Sequence, residues 1–169
     1  EIALRAEVDT AARLLEKVQS GMLDLAVLYS PSPRTDLTTE LLTEEKLVMV
    51  ASAEADTVTP DDSIHVDWGP TFTTSQQTAF PDLANPTVSI SLGPLALTYL
   101  LAVGGSGYFR LSVVRPYLND RRLRLVREAP EFSYSVHAVY STRSEADLID
   151  VARAGLRADR PLPSRTHPV

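Results

Sequence analysis

The chain of 169 residues is 44% hydrophobic and 22% charged, the balance of an ordinary soluble globular protein, with room for one domain or two small lobes. Its net charge of −6 argues against a polyanion-binding surface over the chain as a whole. The absence of cysteine excludes a disulfide framework, a thiolate metal site and a cysteine nucleophile, and fits a reducing, cytoplasmic setting.

In chain order, Ile2, Leu4, Ala6 and Val8 alternate with Glu1, Arg5 and Glu7, which predicts a strand with one buried face. A strand that starts at the first residue is expected of a segment cut from a longer chain. "EIALRAEV" lacks the basic-then-apolar pattern of a signal peptide, and no apolar run approaches the ~20 residues of a membrane span. Asp9 or Thr10 can cap a helix with apolar positions Ala11, Leu14, Leu15 and Val18, which Gly21 closes. "DLAVLYS" (24–30) then reads as a strand, so that residues 1–29 form a βαβ unit with parallel strands. A loop at 30–36 leads to a strand within 41–52, and the polar stretch 53–63 is a connection.

A second set follows: a strand at Ile64–Asp67, a short helix around Thr74–Ala79 and a strand at Thr87–Ser91. Leu92, Leu95, Ala96, Tyr99, Leu100 and Val103 trace one helical face, with Pro94 in the first turn and Ser91 or Gly93 as N-cap. A strand at Tyr108–Leu111, a helix around Val113–Leu118 and a strand at Leu123–Val126 complete the set. "YSVHAVYS" (134–141) is again strand-like, and Ser144 with Asp147 forms a capping box for a last helix burying Leu148, Ile149, Ala152 and Leu156. The proline-rich tail 159–169 is expected to have little order.

These elements imply two α/β lobes, the second inserted in the first. Lobe I takes residues 1–54 and 134–158, and lobe II residues 55–133. Open α/β sheets bind ligands beyond the carboxyl ends of their strands, and a cleft between two such lobes is a natural pocket.

Several segments raise functional questions. Gly104, Gly105 and Gly107 sit close together, but a helix precedes them where a phosphate-cradling loop needs a strand, which rules out a nucleotide loop. "VDWGPTF" (66–72) places Trp68, Thr71 and Phe72 either at a cleft mouth or in a lobe core. At a cleft, the next helix would point its N-terminus and the hydroxyls of Thr73, Thr74 and Ser75 at a ligand. Thr10 would do likewise from the first lobe, where Ser30 is a further candidate. Two helix N-termini on one cleft favour an anion, most simply a small carboxylate. In "GGSGYFR", Gly105 and Ser106 could bind from the opposite side, with Tyr108 and Phe109 as walls. Arg110 matches a carboxylate bidentately, or else is a surface arginine on a strand.

The arginines of "NDRRLRLVR" (119–127) alternate with apolar residues as on a solvated edge strand, a better account than nucleic-acid contact. Ser106 follows a helix rather than a strand, unlike a nucleophile elbow, and His65, His137 and His167 have no metal-ligand spacing. No catalytic set, cofactor site or metal site emerges, and an enzyme is not expected.

The series "LLEKVQSGMLDLAVLYSPSP", "LLTEEKLVMVAS", "LALTYLLAVGGSGYFRLSVVRPYLNDRRLRLV" and "YSVHAVYS" resembles the effector-binding domain of LysR-type transcriptional regulators over residues 1–157. The resemblance implies a type 2 periplasmic-binding-protein-like fold of two Rossmann-like lobes, with a small-molecule effector between them. It implies a homodimer here, with helix 11–20 and strand 1–8 as candidate contacts, and a tetramer at full length. DNA would be bound only through an N-terminal winged helix-turn-helix outside this sequence, and no membrane contact is implied. Relative to the family, the first strand and helix of lobe I are absent, and "GGSGYFRLS" replaces a more apolar glycine turn. The alternative is a free-standing solute-binding protein of the same fold.

Overall fold

The computed structural model describes residues 3–55, 58–83 and 85–157. In chain order its main elements are α1 (Ala11–Gln19), β1 (Leu25–Tyr29), β2 (Leu37–Ser52), β3 (Ser63–Val66), α2 (Pro70–Ala79), β4 (Val88–Ile90), α3 (Gly93–Val103), β5 (Ser106–Arg110), α4 (Leu111–Asn119), β6 (Leu123–Leu125), β7 (Phe132–Ser141) and α5 (Ala146–Arg157). They divide into two compact units. One gathers the described residues up to Thr43 with those from Val136 onward, and the other is Glu44–Ser135. The long strands β2 and β7 each contribute to both units.

In the first unit, α1 buries Leu15 and Val18 against Ala26 and Leu28 of β1, with Leu37 and Val139 completing a small core. Thr10 caps the helix, its hydroxyl accepting the Arg13 N–H at 3.4 Å, and Gly21 adopts φ 75° just beyond the helix end. β7 lies between β1 and β2. Its pairing with β1 is antiparallel, Leu25 opposite Tyr140 and Tyr29 opposite Val136.

Two expectations need correction here. Residues 3–8 form no strand, and Leu4 and Val8 are 92% and 82% exposed. Alternation marks a chain able to form a strand, but a strand also needs a ladder partner, and none is available to this segment among the described residues. Consequently β1 has no parallel mate there. The segment is held instead by Lys17, whose ammonium donates to Glu7 at 2.7 Å and to Asp9 at 3.1 Å.

The last helix also departs from expectation. The N–H of Ile149 bonds the Glu145 carbonyl, which makes Glu145 the cap and leaves Ser144 one residue outside it. Ile149 is buried, whereas Leu156 is 46% exposed. Arg153 anchors this helix to Glu40 of β2 at 2.7 Å. The tail 159–169 lies outside the described residues.

In the second unit the sheet order is β2-β5-β3-β4. β5 runs antiparallel to β2, with Leu47 opposite Arg110 and Ala51 opposite Ser106. β3 is parallel to both of its neighbours. One face of this sheet, through Val48, Val50, Ile64, Val66 and Phe109, packs against Ala96, Leu97 and Leu100 of α3 and Val114 of α4. Successive strand residues point to opposite faces, so Tyr108 leaves the other side and meets Phe72 of α2 and Phe132 of β7 in edge-on or tilted contacts at 5.4 and 5.1 Å. β6 pairs with the end of β2, Leu123 opposite Ser52. There Arg124 is turned inward, its guanidinium donating to the Ala55 carbonyl at 2.7 and 3.1 Å.

Candidate functional site

Three mutually parallel strands of the second unit end on one side, and a helix leaves each of them. From β3 the chain passes through Asp67, Trp68 and Gly69 into α2. Gly69 has φ 98° and gives its N–H to the Asp67 carboxylate at 2.9 Å, a local turn that needs glycine. From β4 it passes through Ser91 and Leu92 into α3, and from Arg110 of β5 it enters α4 directly. None of the three helices has a side-chain cap hydrogen bond at its N-terminus. Free N–H groups and the positive ends of three helix dipoles therefore gather at the carboxyl edge of β5, β3 and β4.

Trp68 is the aromatic floor of this end. Its indole N–H donates to the Tyr108 carbonyl at 2.8 Å, and its ring stands edge-on to Tyr134 at 5.1 Å. The ring also lies over Gly93 at the start of α3: a Cβ there would come within 2.7 Å of it. Trp68 is half-buried, so it combines packing with an exposed edge.

Arg110 closes the other side of the same end. Its guanidinium Nη1 donates to Glu45 Oε1 at 3.2 Å, and Ser112 Oγ donates to Glu45 Oε2 at 2.7 Å. Glu45 lies two residues from Leu47, the direct partner of Arg110, and is therefore its diagonal neighbour on the same sheet face. Glu45 does not stand out in the sequence as a partner of Arg110, because only the register of β2 against β5 brings it to Arg110 and Ser112.

The other proposed site residues are distributed as follows. Thr71 is exposed in the first turn of α2, while Phe72 beside it is buried. The helix begins at Pro70 rather than Thr74, so the hydroxyls of Thr73 and Thr74 bond back to the carbonyls of Gly69 and Pro70 at 3.1 and 3.0 Å. Those hydroxyls do not face outward as expected. Tyr108 and Phe109 are each 1% exposed, on opposite faces of a strand covered on both sides, and so are core residues rather than pocket walls. Burial raises the Tyr108 phenol far above its ordinary pKa, and its hydroxyl donates to the Pro130 carbonyl at 2.9 Å.

Gly105 and Ser106 stand at the amino end of β5, where Ser106 is opposite Ser63, the first residue of β3. A five-residue strand, about 13 Å long, separates them from Arg110. They border a different recess of 590 Å³, lined among others by Ser52, Glu54, Asp62, Gly104, Arg121 and Arg122. Trp68, Thr71 and Arg110 thus share one end of the unit, and the glycine turn belongs to the other. In the first unit, Thr10 at the start of α1 and Ser30 just after β1 are both exposed, Ser30 with φ 40°. Among the described residues, no group of three His, Cys, Asp or Glu side chains could hold a metal ion, and no helix is long and apolar enough to cross a membrane.

A family model described as the LysR substrate binding domain matches residues 1–157. The regulatory domain of HypT from Salmonella typhimurium superposes with a TM-score of 0.74 at 13% identity, covering 89% of this chain and 79% of that one. Vibrio fischeri DarR, solved in complex with DNA, gives a TM-score of 0.75 at 10% identity over 92% of this chain and 57% of that one. The sulfate-bound regulatory domain of the OxyR2 E204G mutant from Vibrio vulnificus gives 0.62 at 15% identity, covering 88% and 77%. No curated protein matches the sequence significantly. The mixed α/β architecture is the periplasmic-binding-protein-like fold of these regulatory domains, and the chain belongs to the LysR substrate-binding domain family.

Proposed function

We propose that this chain is the effector-sensing domain of a LysR-type transcriptional regulator and takes a small anionic metabolite at the carboxyl ends of β3, β4 and β5. The observation that carries the reading is the convergence of three uncapped helix N-termini beside the Arg110 guanidinium. Backbone N–H groups and helix dipoles favour negative charge, and a guanidinium adds a planar fork that fits a carboxylate. Trp68, Thr71 and Arg110 are the contacts we assign to the ligand in this unit.

The chemistry is binding, not catalysis. A ligand that prefers one arrangement of the domain shifts its population, and a DNA-binding module elsewhere in the regulator reads that shift. DNA contact through a separate module agrees with the net charge of −6, because phosphate affinity comes from clustered cations and counterion release. Pairing of two copies through α1 and residues 3–8, where Leu4 and Val8 are exposed, and a cytoplasmic location belong to the same reading.

Trp68 is the only tryptophan and reports on the site directly. Titration with a panel of small carboxylates should change its fluorescence. Arg110→Ala should weaken the responding ligand by about 1.5–3 kcal/mol, the worth of a charged hydrogen bond. A response that ignores Arg110 would move the ligand elsewhere.

A further inference from the structure

Glu45 stands in the position that an anionic ligand would need. Its two carboxylate oxygens take the Arg110 Nη1 and Ser112 Oγ donors, at 3.2 and 2.7 Å, beside the uncapped start of α4. The pair is partly screened from water: the Arg110 side chain is 30% exposed and that of Glu45 is 18% exposed. We infer that Glu45 is a built-in competitor for the effector, a carboxylate that fills the anion position until a ligand displaces it. This rests on the anionic-ligand reading above and adds to it a residue that sets affinity and selectivity.

The reasoning is electrostatic. A second carboxylate arriving at Arg110 would meet Glu45 at close range, and like charges sharing one cation in a partly buried site repel. Ligand binding therefore requires Glu45 to release at least one of its two donors. Weak single-point anions fail this exchange, whereas a ligand that also engages the N-termini of α2 and α3 has contacts enough to complete it. Glu45 lies on β2 two residues beyond Thr43, where that strand enters the second unit.

Sulfate serves as a defined dianionic probe, read by Trp68 fluorescence and by calorimetry at constant ionic strength. Glu45→Gln keeps the shape of the side chain and removes the charge. It should bind sulfate at least tenfold more tightly than the parent chain, and the gain should vanish in the Glu45→Gln/Arg110→Ala double variant. Glu45→Asp, whose shorter carboxylate withdraws from Arg110, should lie between the two and provides the test should the glutamine variant fail to fold. If parental binding depends on Arg110 but either Glu45 variant binds sulfate equally or less tightly, Glu45 positions Arg110 for the ligand, and the competition is overturned while the anionic site stands. Sulfate binding that is absent, or indifferent to Arg110, in every variant overturns the anionic site itself and the competitor with it.

Discussion

The indole N–H of Trp68 donates to the backbone carbonyl of Tyr108 at 2.8 Å, tying the loop after β3 to the middle of β5. The same ring lies over Gly93, where an added Cβ would approach ring carbon Cη2 to 2.7 Å. Gly93 is therefore glycine for contact reasons, since no positive φ constrains it. Gly93→Ala should cost about 1–3 kcal/mol by overpacking, and should become nearly neutral in a Trp68→Phe background, which lacks the colliding carbon. A urea-denaturation double-mutant cycle measures the coupling. Equal costs of Gly93→Ala in both backgrounds would separate the two residues energetically. Trp68→Phe alone should cost about 1 kcal/mol for the lost donor and also shorten the aromatic floor at the carboxyl end of β3, β4 and β5.

Tyr108 yields a prediction with a definite sign. Burial holds its phenol above the unfolded value of 10.0. A folded pKa above the unfolded one means that the unfolded chain releases the proton first. The contribution is therefore whole below pH 10 and is lost as pH rises beyond it toward the folded value. One phenol should stay protonated in an alkaline absorbance titration until the chain unfolds, and Tyr108→Phe should remove that delayed step. The variant should also cost about 1 kcal/mol at neutral pH, since it leaves the Pro130 carbonyl without its donor. A delayed step that survives the substitution would assign it to another tyrosine.

The difference between Tyr108 as pocket wall and Tyr108 as core shows where sequence reading runs out. Local signals were legible: Thr10 as a cap, Pro94 in the first turn of α3, and Leu15 and Val18 as the buried stripe of α1. Each depends on residues within one or two turns of chain. β5 is covered on both faces, so its residues show no inside-outside alternation, and neither Tyr108 nor Phe109 reveals from sequence which neighbour buries it. The Glu45–Arg110 contact, whose partners lie 65 positions apart in the chain, exists only through strand register. Residues 3–8 fail in the opposite sense: their pattern is that of a strand, but pairing is a property of the whole sheet.

The glycine turn separates two roles by experiment. Gly105 has φ 108°, and a Cβ there would meet the Asp62 carbonyl oxygen at 2.4 Å. Gly105→Ala combines a disfavoured backbone with a backbone collision and should cost about 3 kcal/mol or more. Gly21, at φ 75° with open space around it, should cost only about 1–2 kcal/mol on the same change. Thermal or urea melts give both values. If the turn is structural, as its place at the far end of β5 indicates, Gly105→Ala should leave anion affinity unchanged in whatever fraction stays folded. Loss of affinity at preserved fold would return the glycine amides to the ligand.

The segment before α1 is held by charge, and its pH response can be worked out from both partners. Hydrogen bonds from Lys17 lower the Glu7 carboxyl, and Arg5 adds to this; the Thr10 N–H, then Lys17, lowers Asp9. The same contacts, Glu7 foremost, raise the Lys17 ammonium. Depressed carboxylates contribute above their unfolded values of 4.5 and 3.8, and the contribution is lost as pH falls through the folded values below those. A raised ammonium contributes below its unfolded value of 10.5, and that contribution disappears as pH climbs through the higher folded value. The tether should therefore hold across the neutral range and loosen at both extremes, and salt should weaken it because all three side chains remain partly open to solvent. Carboxyl carbon NMR titration of Glu7 and Asp9 measures the acidic limb. Lys17→Met should move Glu7 back toward its unfolded value and speed amide exchange in residues 3–8, while α1, whose Leu15 and Val18 remain packed, keeps its protection. Unchanged exchange in residues 3–8 would mean that something other than Lys17 holds them, and an α1 that melts with the substitution would make the lysine part of the helix's own stability.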